Sequence, residues 1–228
     1  METFDRVKLL IGENSYKKLV NANVAVFGVG GVGGYVVEAL CRSGVGNISV
    51  FDNDKVCKSN LNRQIIATNL VLDKDKVDVI KERMLSINPN VKVKTEKVFY
   101  LPENAHLFDF SCYDYVVDAV DTVSAKLEII KRAKAQGVQV ISCMGTGGKL
   151  NPLELRVDDI SKTSVCPLAR VMRRELRKAN IENVKVVFSL EETKGDCSKE
   201  KSPPSMIFVP ATAGLVIAKE VVDYLINR

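Results

Sequence analysis

Val24-Ala25-Val26-Phe27-Gly28-Val29-Gly30-Gly31-Val32-Gly33 is the stretch that decides the fold. Val-Ala-Val-Phe has the length and composition of a buried strand. Gly34 to Arg42 reads as a helix. Strand, glycine turn and helix form the context in which GxGxxG points to a bound nucleotide. Gly28 permits the tight turn. Gly30 lets a phosphate approach the backbone, and Gly33 lets the helix pack close to the strand. The amides and dipole at the helix start then favour an anion. Dinucleotide enzymes and several ATP enzymes share this turn, so it does not choose between them.

Working outward, Asp5 to Ala22 reads as helical with a break at Gly12. Strands at 24–29, 48–52, 91–98, 115–120 and 139–144 then alternate with helices at 33–42, 74–87 and 123–136. That alternation predicts a Rossmann-like, doubly wound α/β fold with a mainly parallel sheet. After Gly145 the pattern loosens into a C-terminal mixed extension. It holds a strand at 153–160, a basic helix at 167–179, a strand at 184–189, a mobile Lys- and Glu-rich loop at 191–204, a strand at 206–209 and a closing helix at 212–226. The expectation is one domain over 1–228, with a nucleotide-binding core at 1–150 and a substrate-side extension with its closing helix at 151–228.

The chain of 228 residues is 46% hydrophobic, ample for one core. No apolar run reaches the roughly 18 residues of a membrane span, and the N-terminus lacks the apolar stretch of a signal peptide. Six cysteines form no CxxC pair, which argues against a zinc ribbon and for reduced, cytoplasmic thiols. The single histidine, His106, leaves little for a triad or a His-rich metal site. A net charge of +5 permits a polyanionic partner without demanding one.

Asp52 ends the second strand, where an acid bonds a ribose hydroxyl. Asp52-Asn53-Asp54 then runs into Ser59-Asn60-Leu61-Asn62-Arg63-Gln64. A dehydrogenase has no use for an arginine and a cluster of amides there. Nucleotidyl transfer does, because fixed cationic donors stabilise charge developing on the phosphates. Lys76, at the next helix start, is the second donor. Asp118-Ala119-Val120-Asp121 closes the fourth strand. Asp118 lies inside it and reads as structural, whereas Asp121 at its end suits a magnesium ion on phosphate oxygens.

GxGGxG, Asp-x-Asp, SNLNRQ, the lysine of DKDK and DAVD together resemble the ThiF/MoeB/ubiquitin-activating enzyme superfamily, which adenylates carboxylates with ATP and magnesium. Across the whole chain, Phe4-Asp5-Arg6 with Leu10-Ile11-Gly12, Asp121-Thr122-Val123-Ser124-Ala125-Lys126, and Lys162-Thr163-Ser164-Val165-Cys166-Pro167-Leu168-Ala169-Arg170-Val171 resemble the tRNA threonylcarbamoyladenosine dehydratases. These cyclise the modified adenosine beside the anticodon. The resemblance implies that Gly28, Gly30, Gly31 and Gly33 cradle ATP, that Asp52 holds the ribose with Asp54 beside it, and that Asn60, Arg63, Gln64 and Lys76 line the triphosphate. It implies Asp121 on Mg2+, and a homodimer in which Arg6 completes the partner's site. Missing CxxC zinc motifs favour the dehydratase branch. The chain ends at Arg228, so tRNA contacts that some dehydratases place further on would be absent.

Several residues carry competing readings. Cys166 at a helix start is placed to stabilise a thiolate, or is a packed thiol. Cys197 in the 191–204 loop is within reach of a sulfur donor, or incidental. Cys41, Cys57, Cys112 and Cys143 read as small core residues. Arg170, Arg173, Arg174, Arg177 and Lys178 give one helix a basic face that either grips tRNA phosphates or is merely solvated. Three other functions share parts of the pattern: an activator of a ubiquitin-like sulfur-carrier protein, with a sulfur-transfer protein as partner; a nicotinamide dehydrogenase; and an inactive nucleotide-binding scaffold.

Overall fold

The computed structural model describes residues 2–194 and 203–228. Val24 to Phe27 form the body of β1 (Asn23–Phe27), and all four side chains are fully buried. Val24 and Val26 enter one apolar core, Ala25 and Phe27 the other. A strand covered on both faces has no polar alternation, which is why its sequence is a continuous apolar run.

Among the described residues, six more strands extend the sheet: β2 (Asn47–Phe51), β3 (Lys92–Glu96), β4 (Tyr115–Asp118), β5 (Gln139–Cys143), β6 (Leu155–Asp159) and β7 (Lys185–Ser189). Their order is β3-β2-β1-β4-β5-β7-β6. Every pairing is parallel except β6 with β7. This is the expected mainly parallel sheet with a mixed C-terminal edge. Strand order reverses between β1 and β4, and α/β sheets bind ligands at the carboxyl ends of strands flanking such a switch. Phe27 lies in register with Phe51 on one side and Asp118 on the other. Gly28, Asp52 and Ala119 therefore leave the sheet at one level.

Among the described residues there are seven α-helices: α1 (Asp5–Ile11), which packs on α2 (Glu13–Asn21), then α3 (Gly33–Arg42), α4 (Lys76–Ile87), α5 (Val123–Ala135), α6 (Pro167–Lys178) and α7 (Phe208–Asn227). Val36 and Leu40 of α3, Ile80 and Met84 of α4, and Ile217 and Val221 of α7 share one core. Ile129 and Ile130 of α5 and Met172 and Leu176 of α6 share the other. Gly12, with φ of +81°, separates α1 from α2, as its position in the sequence indicates. α7 packs closely on α3. A Cβ at Gly214 would sit 2.5 Å from the Val32 carbonyl oxygen and 2.7 Å from the Tyr35 Cβ.

Three expectations are corrected. Residues 206–209 are not a strand: the chain is irregular there until α7 begins at Phe208. Pro210 falls in the first helical turn, where a missing N–H costs nothing. Val209, Ala213, Ile217, Val221 and Leu225 then recur every four residues as the buried stripe of one long helix. The strand expected at 153–160 is confined to β6, because Pro152–Glu154 form a 3₁₀ turn. Cys57 and Cys112 are exposed, not core. Cys57 precedes a 3₁₀ turn at Lys58–Asn60, and Cys112 lies in a turn just before β4. Most of the expected 191–204 loop, with Cys197, lies outside the described residues.

Candidate active site

The glycine turn sorts its glycines by what surrounds them. Gly28 has φ of +90°, and a Cβ there would lie 2.7 Å from the Ala119 carbonyl oxygen. A Cβ at Gly33 would fall 1.8 Å from the Gly28 carbonyl oxygen. Both are required by the fold itself. At Gly30 a Cβ would meet nothing within 4 Å. Its bare backbone faces open space at the start of α3, where close approach by a phosphate is the remaining use of a glycine. No side chain caps α3. Among the described residues, the amides of Gly30, Gly31 and Val32 donate to no protein acceptor.

Asp52 is half-buried at the end of β2. Its Oδ2 accepts from the Val29 amide at 2.6 Å and its Oδ1 from the Asp54 amide at 2.8 Å. The carboxylate thus holds the glycine turn while keeping lone pairs free for a further donor. Burial pushes its pKa up, against the downward pull of Lys76 and the two amides. Lys76, the first residue of α4, is 4% exposed. Its Nζ lies 2.8 Å from Asp54 Oδ2 and 3.9 Å from Asp52 Oδ1. The Lys76 amide also donates to the Asp54 carbonyl, so backbone and side chain both tie α4 to the β2 loop.

The SNLNRQ segment wraps over the glycines. The Arg63 side chain lies 3.5 Å from where a Gly31 Cβ would sit. Its Nη1 donates to the Ser59 carbonyl at 2.6 Å and to Asn62 Oδ1 at 2.9 Å. Asn60 is buried and accepts from the Cys57 amide. Gln64 is 7% exposed, and its Oε1 has no hydrogen-bond partner. A buried amide oxygen without a partner costs about 1–3 kcal/mol, which a bound donor would relieve. Asp121 is exposed beyond the end of β4, and among the described residues its side chain accepts a hydrogen bond only from the Thr122 hydroxyl, at 3.4 Å. Asp118 is structural as expected: fully buried and paired with Lys126 at 2.9 Å.

Two neighbours of this site were not signalled by motif. The Asn62 side chain donates to the Ser205 carbonyl at 2.9 Å, and Pro210 Cβ lies 3.3 Å from the Gly31 Cβ position. The segment before α7 thus returns across more than 140 residues to border the glycine turn.

Other candidates fall elsewhere. Arg6 is exposed on α1. Phe4 and Tyr16 pack at Gly44, beyond the C-terminal end of α3, about 15 Å from the glycine turn at its other end. Arg6 therefore sits away from the glycine turn. Cys166 is buried beneath Gly145, with Sγ 3.4 Å from the Gly145 Cβ position, which favours the packed-thiol reading. On α6, Arg173 turns inward and donates to the carbonyl and hydroxyl of Thr163. Arg174 and Lys178 pair with Glu175. Among the described residues, Arg170 and Arg177 have no carboxylate partner. A depression of about 470 Å³ lined by Thr3, Phe4, Arg42, Arg83, Ser86 and Ile87 lies at the opposite end of α3, and its arginines are both engaged by Glu38.

A glycine turn with free amides, a carboxylate at the end of β2 and cationic side chains beside both are the parts an adenylating enzyme would need. The chain belongs to the ThiF family, whose model matches residues 4–228. It is 40% identical to the tRNA threonylcarbamoyladenosine dehydratase of Bacillus subtilis (strain 168), over the whole of this chain and 96% of that one. Crystal structures of the Escherichia coli dehydratase TcdA in complex with AMP and with ATP superpose with a TM-score of 0.92 at 30% identity. That superposition covers 99% of this chain and 94% of TcdA. The adenylyltransferase and sulfurtransferase UBA4 of Vanderwaltozyma polyspora is 36% identical, but over only 61% of this chain and 32% of its own. Among the described residues, no helix is long and apolar enough to cross a membrane.

The two kinds of glycine separate in experiment. Gly33→Ala collides with backbone and is expected to cost about 1–3 kcal/mol in denaturant unfolding. Gly30→Ala leaves the unfolding midpoint unchanged but weakens nucleotide binding by calorimetry. Unweakened binding in Gly30→Ala contradicts the phosphate role.

Proposed function

We propose that this chain adenylates the carboxylate of the threonylcarbamoyl group on the tRNA adenosine beside the anticodon and then closes the ring. The carrying observation is the whole-length similarity to the Bacillus subtilis dehydratase, which includes the segment after residue 150. The similarity to the sulfur-carrier activator covers 61% of the chain, so that reading ranks below. A substrate carboxylate oxygen attacks the α-phosphorus of ATP, and the bond to the β-phosphate bridge breaks to release pyrophosphate. The carbamoyl nitrogen then attacks the activated carbonyl carbon and loses its proton as AMP departs. The net change is loss of water at the substrate. The closure is intramolecular, so positioning supplies much of the acceleration.

The residues divide the work. Gly30, Gly31 and the start of α3 hold phosphate by backbone amides, and Asp52 takes the ribose. Arg63 and Lys76 meet the charge that builds on the phosphates. Asn60 and Gln64 line the same wall, with Asp54 as the counter-ion of Lys76. Asp121 would hold Mg2+. A magnesium ion on a nucleotide needs one or two carboxylates besides phosphate oxygens and water. The donor set fits: Asp121 is exposed at the crevice, while Asp118 is committed to Lys126. When bound, the ion supplies charge neutralisation on the phosphates.

Arg63→Ala and Lys76→Ala are each expected to cut turnover about a hundredfold with the fold intact, the worth of one fixed donor to a developing charge, and Asp121→Ala is expected to cut it at least about tenfold because the carboxylate that would hold the metal is gone. Turnover is read as AMP released from ATP with threonylcarbamoylated tRNA; the same rate with unmodified tRNA, or with a Gly-Gly carrier tail, overturns the substrate assignment.

We further infer a homodimer. Leu9 and Leu10 on α1 are 76% and 84% exposed and Leu70 is 89% exposed, apolar surface that a second copy would cover. Arg6 shares α1 with Leu9 and Leu10, so the same contact would carry it to the partner's site. Light scattering should give twice the 25.1 kDa chain mass, and mixing Arg6→Ala with Asp121→Ala chains should restore activity. A fully active monomer contradicts this.

Arg170 and Arg177 are the α6 residues available for tRNA phosphates, two helical turns or about 10 Å apart on one face. Their replacement by Glu should each flatten the log–log salt slope of tRNA binding by about 0.7–0.9. Arg173→Glu should instead lower stability, because it strands the buried Thr163. An unchanged salt slope in Arg170→Glu/Arg177→Glu places tRNA elsewhere.

A further inference from the structure

The fully buried pair Asp118–Lys126 takes no part in the chemistry above, yet it surrounds Asp121. Both side chains are 0% exposed. Asp118 Oδ1 accepts from the Val120 amide at 3.2 Å. Lys126 Nζ donates to the Val120 carbonyl at 3.1 Å and to Asp118 Oδ2 at 2.9 Å. Both backbone groups of Val120 are therefore held by buried side chains. The Lys126 amide donates to the Thr122 carbonyl at 3.0 Å. The Lys126 side chain thus holds the carbonyl before Asp121, while its backbone amide makes the first helical bond to the carbonyl of the residue after it. Ser142 of β5 donates to Asp118 Oδ2, fixing the pair to the sheet. One residue earlier, the Ala119 amide bonds the Phe27 carbonyl, and the Ala119 carbonyl fills the space a Cβ at Gly28 would need.

A buried ion pair is a costly way to join a strand to a helix. Desolvation offsets most of its attraction, and apolar pairs of the same volume are often as stable. Lys126 also falls on the apolar stripe of α5, one turn before Ile130 and two before Ala133. What the pair supplies that an apolar pair does not is hydrogen bonding to particular backbone groups. Those groups belong to the turn that carries Asp121.

We infer that Lys126 and Asp118 are positioning residues that clamp the Ala119–Thr122 turn against the glycine turn and so aim the Asp121 carboxylate at the nucleotide phosphates. The inference rests on the reading of Asp121 as the metal-holding carboxylate. Lys126→Met strands a buried carboxylate and is expected to destabilise the chain. Asp118→Asn/Lys126→Met removes both charges, keeps the side-chain volumes and leaves the Val120 carbonyl without its donor. It should recover most of the unfolding midpoint lost in Lys126→Met.

Two further readouts on that double variant separate positioning from mere support. Amide hydrogen exchange across residues 119–122 of the nucleotide-free protein should accelerate roughly tenfold, as local opening becomes easier. The gain in ATP affinity on adding magnesium, by calorimetry, should fall about tenfold, the scale for losing an outer-shell partner of a metal ligand. Asp121→Asn serves as the control. If Asp121→Asn loses the magnesium gain while the double variant keeps it, the positioning role is wrong, whatever the exchange rates. If Asp121→Asn itself keeps the full gain, the metal assignment of Asp121 fails and the inference falls with it.

Discussion

The close passage of three backbones, at Gly28, Gly33 and Ala119, is the constraint on which the rest of the structure depends. A Cβ at Gly33 would penetrate the Gly28 carbonyl, and one at Gly28 would press on the Ala119 carbonyl. With both side chains absent, α3 starts directly on the end of β1, and the loop after β4 docks against the same turn. The uncapped start of α3 then faces the crevice between β1 and β4. Gly214 repeats the device further along, seating α7 on the first turn of α3. Backbone amides held this rigidly need no reorganisation to meet an anion, which is where electrostatic binding gains most.

Much of this was legible in local sequence. A strand buried on both faces is mostly apolar: β1 and β4 carry unbroken apolar runs, and those of β2 and β5 are broken only by the small buried Ser49 and Ser142. The glycine spacing, Asp52 at the end of β2 and Lys76 at the start of α4 were legible because each lies at an element boundary with its own chemistry. What stayed hidden depends on partners distant in sequence. The 206–209 run is short and apolar, as a strand would be, but β6 already covers the open side of β7, and Pro210 lies in the first turn of a helix. Cys57 and Cys112 are small and weakly polar, so composition alone does not separate a turn from a core. The basic face of α6 seemed uniform along its helical repeat, yet Thr163 draws Arg173 inward. Ser205 and Pro210 border the glycine turn without any motif, since their nearness comes from the return of the chain into α7.

The same ion-pair chemistry is used at the site in two ways, and burial separates them. Asp118 and Lys126 are both closed off from water. Either one leaving its partner would strand a buried charge at a cost of several kcal/mol. That pair is fixed for the life of the fold, which suits it to holding a turn. Lys76 is equally buried, but its closest partner, Asp54, has a side chain 60% exposed. Asp54 can swing into water at little cost, so in the proposed reaction the lysine would exchange a carboxylate for a phosphate without passing through an unpaired state. Asp52, 3.9 Å away, keeps some negative charge beside it throughout. A lysine already desolvated and already aimed loses little on binding, whereas a solvated surface lysine would first have to shed water and rotamer freedom. The two pairs thus assign opposite tasks to similar residues: one carboxylate partner is buried so that nothing moves, the other exposed so that something can.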